Sequence, residues 1–507
     1  MKDLTLKTNL VASLASQIYV SLVGVAILPF YINYMGAEAY GLVGFFAMLQ
    51  VWFNLLDLGL TPTVSRETAR FRGQAIDALN YRRLFRALSN LFFLVAFLGG
   101  AILFLISEHI ASNWLKVQSL SLKEVQFAVQ NMAICAALRW MSGLYRGVIT
   151  GFEQLVWLST FTIVITTLRF VMVLPVMWYF GATPGIFFTY QTFVACLEFL
   201  IFGLKTRSLL PGVHTPAIGW SVKPVKNVLK FSLTLAFTSA VWIFTTQIDK
   251  LVLSKILLLN DYGYFTLGVL VASSIILLTA PVGTILMPRL AKLEAEGDYR
   301  GVIHIYRQTS RLVAILAGSV AVTLALCARP LLWAWTGDSQ LVEKAAPILT
   351  LYAIGNGIFT LAAFPYYLQY AKGDLRLHFL GHLLLLLFFI PLIICLTANY
   401  GAIGAGYAWL LINSAYFIVW VALIHKRFEP GLHNKWLFTD ILGAVVILAV
   451  ISFVYWLIRA PISSRILSLG SVLSFGLVAL GLSSLTIPSV LTSLKKKLGR
   501  GELLNAN

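Results

Sequence analysis

A chain of 507 residues that is 59% apolar and 11% charged, with a mean hydropathy of +0.85, carries less than half the charge of an ordinary soluble protein, which is about 25% charged. That excludes a soluble globular enzyme and leaves a polytopic membrane protein. The net charge of +18 is therefore read first as a topology signal, not as a nucleic-acid footprint.

The opening segment MKDLTLKTNLVASL has no small-residue cleavage site after a short apolar core, so it reads as a retained first span. A bilayer core takes about 20 apolar residues per helix. Fourteen runs meet that requirement: 10–33, 40–63, 87–107, 125–149, 156–180, 185–204, 231–256, 263–287, 312–329, 345–370, 378–397, 402–424, 438–458 and 466–487. No connecting segment exceeds 26 residues, so no soluble domain is expected between spans. With the N-terminus inside, 27 of the 38 Lys and Arg residues fall on the cytoplasmic side, 6 on the other side and 5 within spans. The positive-inside rule then puts both termini in the cytoplasm. Cys135, Cys196, Cys327 and Cys395 all lie in apolar runs and read as small core residues.

Span 2 carries Gln50, Asn54, Asp57 and Thr61 at helical spacing, which predicts one polar face. In a membrane that face must meet a lumen or neighbouring helices. Asp57 then either serves a cavity or pairs with an arginine of the first half. Gly59 and Pro62 loosen the cytoplasmic turn that follows. Arg66, Arg70 and Arg72 form a basic anchor at the membrane surface, and Arg66 is also a candidate for an entry portal. In span 4, Arg139 and Arg146 are seven residues apart, about 20° on a helix. An arginine at mid-span costs about 2.5–3.5 kcal/mol to insert, so it needs a cavity or a partner. The partners in reach of Arg139 by sequence are Asp57, Glu153 and Glu198. Arg146 has the further option of snorkelling to the interface. Arg169 in span 5 faces either a cavity or Glu198 of span 6. In span 7, Asp249 and Lys250 are adjacent and point about 100° apart, so each is expected to need a partner of its own.

An internal repeat runs through these spans. Tyr40-Gly41 recurs as Tyr262-Gly263, Tyr145 as Tyr367 and Gly151 as Gly373, each 222 residues on; Arg66 and Arg289 close spans 2 and 8 at nearly that offset. A six-span repeat is even, so its halves share one orientation and are related by an axis along the membrane normal, with cargo between them. The expected fold is an all-α integral membrane protein of about 14 helices, with two six-helix bundles in parallel pseudo-repeat and two extra C-terminal helices. The expected domains are residues 1–208, a linker at 209–230, a second lobe at 231–425, and helices 13 and 14 with a basic tail at 426–507.

LLDLGLTPTVSRETAR after span 2, YRGVITGFEQ after span 4 and TTQIDKLVLSKILLLNDYGYFTLG through span 7 resemble the polysaccharide flippases. More narrowly, the chain resembles the Wzx-type O-antigen flippases of bacterial inner membranes. These belong to the superfamily that includes the MATE exporters and the lipid II flippases (the MOP exporters). The likeness covers residues 1–425. It implies two bundles around a central cavity open to each side in turn, and a cargo of undecaprenyl-diphosphate-linked oligosaccharide. The diphosphate and sugars of such a cargo cannot cross hydrocarbon unaided, because desolvating charge and hydroxyls is too costly. On this reading Arg139, Arg146, Arg169 and Lys250 are cavity cations for the diphosphate. Asp57, Asn54, Gln50, Asp249 and Glu198 are polar or coupling groups, and Arg66 and Arg289 stand at the cytoplasmic portal.

The chain has no GxxxxGK[ST] motif for ATP, so movement is expected to draw on H+ or Na+ coupling, the membrane potential or consumption of the product. No cofactor, metal or nucleic acid is implied. Membrane lipids, a polysaccharide polymerase and a chain-length regulator are the further partners of such a role. A multidrug exporter of the same fold would want an acidic, apolar pocket. The in-span cations Arg139, Arg146, Arg169, Lys250 and Lys255, set against Asp57, Glu198 and Asp249, argue the other way. A glycan polymerase or ligase would want a sizeable outside loop, and segments 108–124 and 330–344 are short and lack a catalytic cluster.

Overall fold

The computed structural model describes residues 2–57, 59–212, 223–458 and 464–487. Much of the linker expected at 209–230 and the basic tail beyond 487 lie outside these residues. Among the described residues the chain is helical without a β-strand; an isolated bridge joins Lys116 to Leu258. Most of each apolar run falls on helix, with the run at 40–63 broken between Asn54 and Leu60. Eleven helices are long and apolar enough to cross a membrane, and Val11–Ala26 is a shorter apolar one.

The chain divides into two compact units, Met1–Gly263 and Tyr264–Asn507. The first holds α1 (Lys2–Ala26), α2 (Leu28–Phe53), α3 (Leu60–Arg72), α4 (Ala78–Leu105), α5 (Ser107–His109) and α6 (Leu122–Gly151). It continues with α7 (Leu155–Thr166), α8 (Val173–Phe180), α9 (Pro184–Leu209), α10 (Lys223–Ile256) and the first turn of α11 (Leu259–Ala295). The second holds the rest of α11, then α12 (Tyr299–Leu326), α13 (Ala328–Thr336), α14 (Ser339–Ala362), α15 (Phe364–Ala371), α16 (Arg376–Tyr400) and α17 (Ala402–Ala415). It ends with α18 (Val421–Phe428), α19 (Leu432–Lys435), α20 (Leu442–Ile458) and α21 (Arg465–Ser484).

Short polar side chains set several helix starts by accepting an otherwise orphaned backbone N–H. Asp77 caps α4, Ser121 caps α6 and Thr183, just before Pro184, caps α9. Asp298 caps α12 by accepting from Gly301 N at 2.8 Å, so this helix begins well before the apolar run at 312. Span 2 departs from its expected shape. Rather than one continuous polar face, α2 ends in a 3₁₀ turn, Asn54–Asp57, and α3 begins after Gly59, whose φ of 70° is in the left-handed region that glycine favours.

The first unit is packed through glycine. Gly143, Gly147 and Gly151 recur every fourth residue on α6 and let α3 lie against it. A Cβ on Gly147 would stand 2.8 Å from the Thr61 carbonyl oxygen, and one on Gly151 would meet Thr68 and the Ser65 carbonyl. Beside this contact, Leu60, Val64, Leu88, Phe92, Trp140 and Leu144 form a buried apolar cluster shared by α3, α4 and α6. Gly147→Val and Gly151→Val are each expected to cost about 1–3 kcal/mol, seen as a lower Tm of the detergent-solubilised chain; an unchanged Tm would show that the stripe does not carry the packing.

Two glycines 222 residues apart meet at one crossing. A Cβ on Gly41 would run into the Leu259 carbonyl, and one on Gly263 into the Ala37 carbonyl. Ala37 and Leu259 stand in the same 222-residue relation as Gly41 and Gly263, so the crossing repeats the same pair of contacts in reverse. In the second unit, Cys327, Leu448, Val472, Phe475 and Ala479 form a buried cluster that fixes α20 and α21 against the end of α12. The four cysteines are free thiols.

Candidate functional site

Six side chains from α2, α6, α9 and the turn between α7 and α8 form one connected network in the first unit. Arg139, near the middle of α6, donates from Nη1 to Gln50 Oε1 at 2.9 Å and from Nη2 to Gln191 Oε1 at 2.7 Å. Its guanidinium also lies over the Phe46 ring, 5.3 Å from the centroid. Gln191 donates in turn from Nε2 to the Arg169 carbonyl at 2.8 Å. Arg169 Nη2 donates to Glu198 Oε2 at 2.6 Å, and Arg146 Nη2 lies 3.6 Å from Glu198 Oε1. Gln191 and Glu198 are both buried; they are seven residues apart on α9, which puts them on one face.

The local backbone explains how Arg169 reaches this place. It sits in a π-helical turn, Thr167–Val171, whose widened ring loosens the ordinary carbonyl pairing. Three successive carbonyls of that turn accept from other helices: Leu168 from Tyr190 Oη at 2.9 Å, Arg169 from Gln191 and Phe170 from Tyr31 Oη at 2.7 Å. No backbone oxygen of these three is left bare in hydrocarbon, which would cost several kcal/mol.

The electrostatic result is an imbalance. Three guanidinium groups, those of Arg139, Arg146 and Arg169, share one carboxylate, Glu198, and two neutral amides. The Nε atoms of Arg139 and Arg169 are buried and make no hydrogen bond to the described residues. Such a cluster has spare positive charge and spare donors, which is the chemistry that receives a phosphate or carboxylate.

The other sequence candidates take different places. Arg139 bonds none of the carboxylates considered for it. Its partners are the amides of Gln50 and Gln191, and Gln191 was not singled out because a neutral amide leaves no charge signal. Among the described residues Asp57 bonds across the turn into α3 and no arginine: it accepts from Thr61 Oγ1 at 2.6 Å and from Thr61 N at 3.2 Å. Asn54 is exposed at the start of the 3₁₀ turn. Asp249 and Lys250, expected to need separate partners, meet each other. Lys250 Nζ lies 3.3 Å from Asp249 Oδ1 and donates to the Thr246 carbonyl at 2.8 Å, because the lysine stem folds back along the helix. Lys250 N also donates to Asp249 Oδ1 at 2.8 Å. Arg66 is exposed beside Glu67 at 3.9 Å, Arg70 pairs with Glu67 at 3.0 Å and Arg72 with Glu153 at 2.9 Å. Arg289 is exposed on α11 in the second unit.

The sequence pattern of the polysaccharide biosynthesis protein family matches residues 6–294. A Shigella flexneri protein proposed to be an O-antigen transporter is 22% identical over 410 residues, covering 79% of this chain and 94% of that protein. Among solved structures, a lipid II flippase MurJ in an inward closed conformation matches with a TM-score of 0.71 at 15% identity, covering 96% of this chain and 99% of the other. An inward-facing MATE family multidrug resistance transporter of the MOP superfamily matches with a TM-score of 0.61 at 12% identity, covering 84% and 99%. The fold is thus that of the MurJ and MATE transporters, and the chain shares it with transporters and flippases rather than enzymes.

Proposed function

Because this chain belongs to the polysaccharide biosynthesis protein family, we propose that it moves a lipid-linked oligosaccharide across the membrane. The proposed cargo is an undecaprenyl-diphosphate-linked unit of O-antigen or a related surface polysaccharide. It passes from the cytoplasmic to the periplasmic leaflet of a bacterial inner membrane, the lipid tail staying in the bilayer. The observation that carries this reading is the charge imbalance around Glu198. A site with three guanidinium groups around one buried carboxylate attracts an anion, as a diphosphate head group requires, and repels the organic cations a drug exporter would take. Arg139, Arg146 and Arg169 bind the diphosphate on this reading, with Lys250 as a further cation and Gln50 and Gln191 holding Arg139 in place.

The proposal extends to topology and energy. It takes fourteen spans with both termini in the cytoplasm, from the distribution of Lys and Arg. The two repeats act as lobes, 1–208 and 231–425. Arg66 and Arg289 stand at the cytoplasmic portal, and Asp57 and Asp249 are the groups through which H+ or Na+ is coupled. A polysaccharide polymerase and a chain-length regulator receive the product.

Inverted membrane vesicles from a strain lacking the gene test the central claim. Lipid-linked oligosaccharide should accumulate with its glycan on the cytoplasmic face and become periplasmic when the gene is restored. Normal sidedness in the deletion strain would overturn the reading.

A further inference from the structure

A second charged cluster lies wholly in the second unit. α12 carries Arg300, His304, Arg307 and Arg311 three or four residues apart, which puts them along one helix face. Asp440, in the π-helical turn Trp436–Ile441, is buried against them. Arg307 Nε donates to Asp440 Oδ2 at 2.6 Å and its Nη2 to Asp440 Oδ1 at 3.2 Å, while Arg311 Nη2 also donates to Oδ1. Arg307 Nη2 reaches Thr439 Oγ1 at 2.7 Å as well. Arg300, His304, Arg307, Arg311, Asp440 and Glu429 line an open cavity of about 930 Å³.

The cavity has more positive than negative groups to offer. Asp440 is committed to two arginines at once. Glu429 is shared outward with Lys372, whose Nζ lies 3.9 Å away. Arg300 is exposed, and Arg307 and Arg311 keep 30% and 22% of their side chains accessible. The Arg311 Nε is buried without a hydrogen-bond partner among the described residues. Asp440 acts as an internal brace. It holds two guanidinium groups on one carboxylate, so their remaining N–H groups are ordered before any ligand arrives, and such fixed forks match the geometry of phosphate oxygens.

We propose that this cavity binds a phosphate group. The site is separate from the Arg139 network and is not required by the flippase reading. On the orientation proposed above, the start of α12 lies at the cytoplasmic surface, where anionic head groups concentrate and basic pockets between helices receive them. Ile303 and Leu312 add an apolar edge to the cavity, which suits a phosphate carried on a lipid. A soluble pyrophosphate presents the same oxygens, so the test separates the two sources.

The full chain is titrated in detergent with inorganic pyrophosphate, and compared in nanodiscs of phosphatidylcholine with and without phosphatidylglycerol, with Tm as the readout. A saturable rise with phosphatidylglycerol alone assigns a lipid phosphate, and a rise with pyrophosphate as well assigns a site open to soluble phosphates. Either supports the proposal if the variants respond as follows. Arg300→Gln weakens binding by at least about tenfold, as expected for loss of a charge-assisted hydrogen bond. Arg311→Gln alone does the same, and Asp440 keeps its bonds to Arg307 so that the carboxylate is not left without a cation. Arg376→Gln, whose side chain is 94% exposed outside the cavity, changes nothing. No saturable rise with either probe, or an equal rise in all variants, overturns the proposal.

Discussion

Glu198→Ala is expected to destabilise the chain by about 3–5 kcal/mol, the scale for removing one partner of a buried ion pair. Glu198 is the carboxylate that Arg146 and Arg169 share, at 3.6 and 2.6 Å. Without it the largely buried Arg169 guanidinium loses its carboxylate, as does the half-exposed Arg146, and no other acid in the network can compensate. Glu198→Gln keeps the shape and one acceptor oxygen, so its loss should be smaller but of the same sign. Thermal unfolding of the purified chain measures both. Equal Tm values for wild type and Glu198→Ala would mean that the arginines are not held by this carboxylate.

Arg139→Ala should behave in the opposite way, keeping the fold and losing transport. Its partners Gln50 and Gln191 are neutral amides, and Gln191 retains its bond to the Arg169 carbonyl. Removing the arginine therefore strands no charge. If the guanidinium receives the diphosphate, its loss removes charge-assisted hydrogen bonds of about 1.5–3 kcal/mol, a fall in flipping of roughly 10–100-fold. Arg139→Lys keeps the charge but not the planar fork that reaches two glutamines, so partial activity is expected. The measure is periplasmic exposure of lipid-linked oligosaccharide at matched protein level. Full complementation by Arg139→Ala would take Arg139 out of the site.

What the sequence made legible follows from how local each signal is. Long apolar runs of about 20 residues report helices directly, since a helix satisfies its own backbone in lipid, and eleven helices are long and apolar enough to cross a membrane. Arg139 and Arg169 stood out because charge at mid-span is costly, and Glu198 was a foreseeable partner of Arg169 as the acid of the neighbouring span. Gln191 was hidden because a neutral amide reads as an ordinary helix-packing residue until its partners are known. The polar period of Gln50, Asn54, Asp57 and Thr61 was real, yet side-chain spacing does not reveal that the backbone turns at Gly59. The Asp249–Lys250 contact was missed because the angle between Cβ positions neglects the reach of a lysine. Asp440 was invisible for the most general reason. Its two arginines lie roughly 130 residues away, and only folding brings them together.

The paired crossing of Gly41 on Leu259 and Gly263 on Ala37 limits how these two segments can drift. Each glycine is confined by main chain, so no smaller neighbouring residue could make room for a new side chain. Packed positions usually diverge by compensating changes, and here there is nothing to exchange. Across homologues, both positions should therefore stay glycine even where almost every surrounding residue has changed.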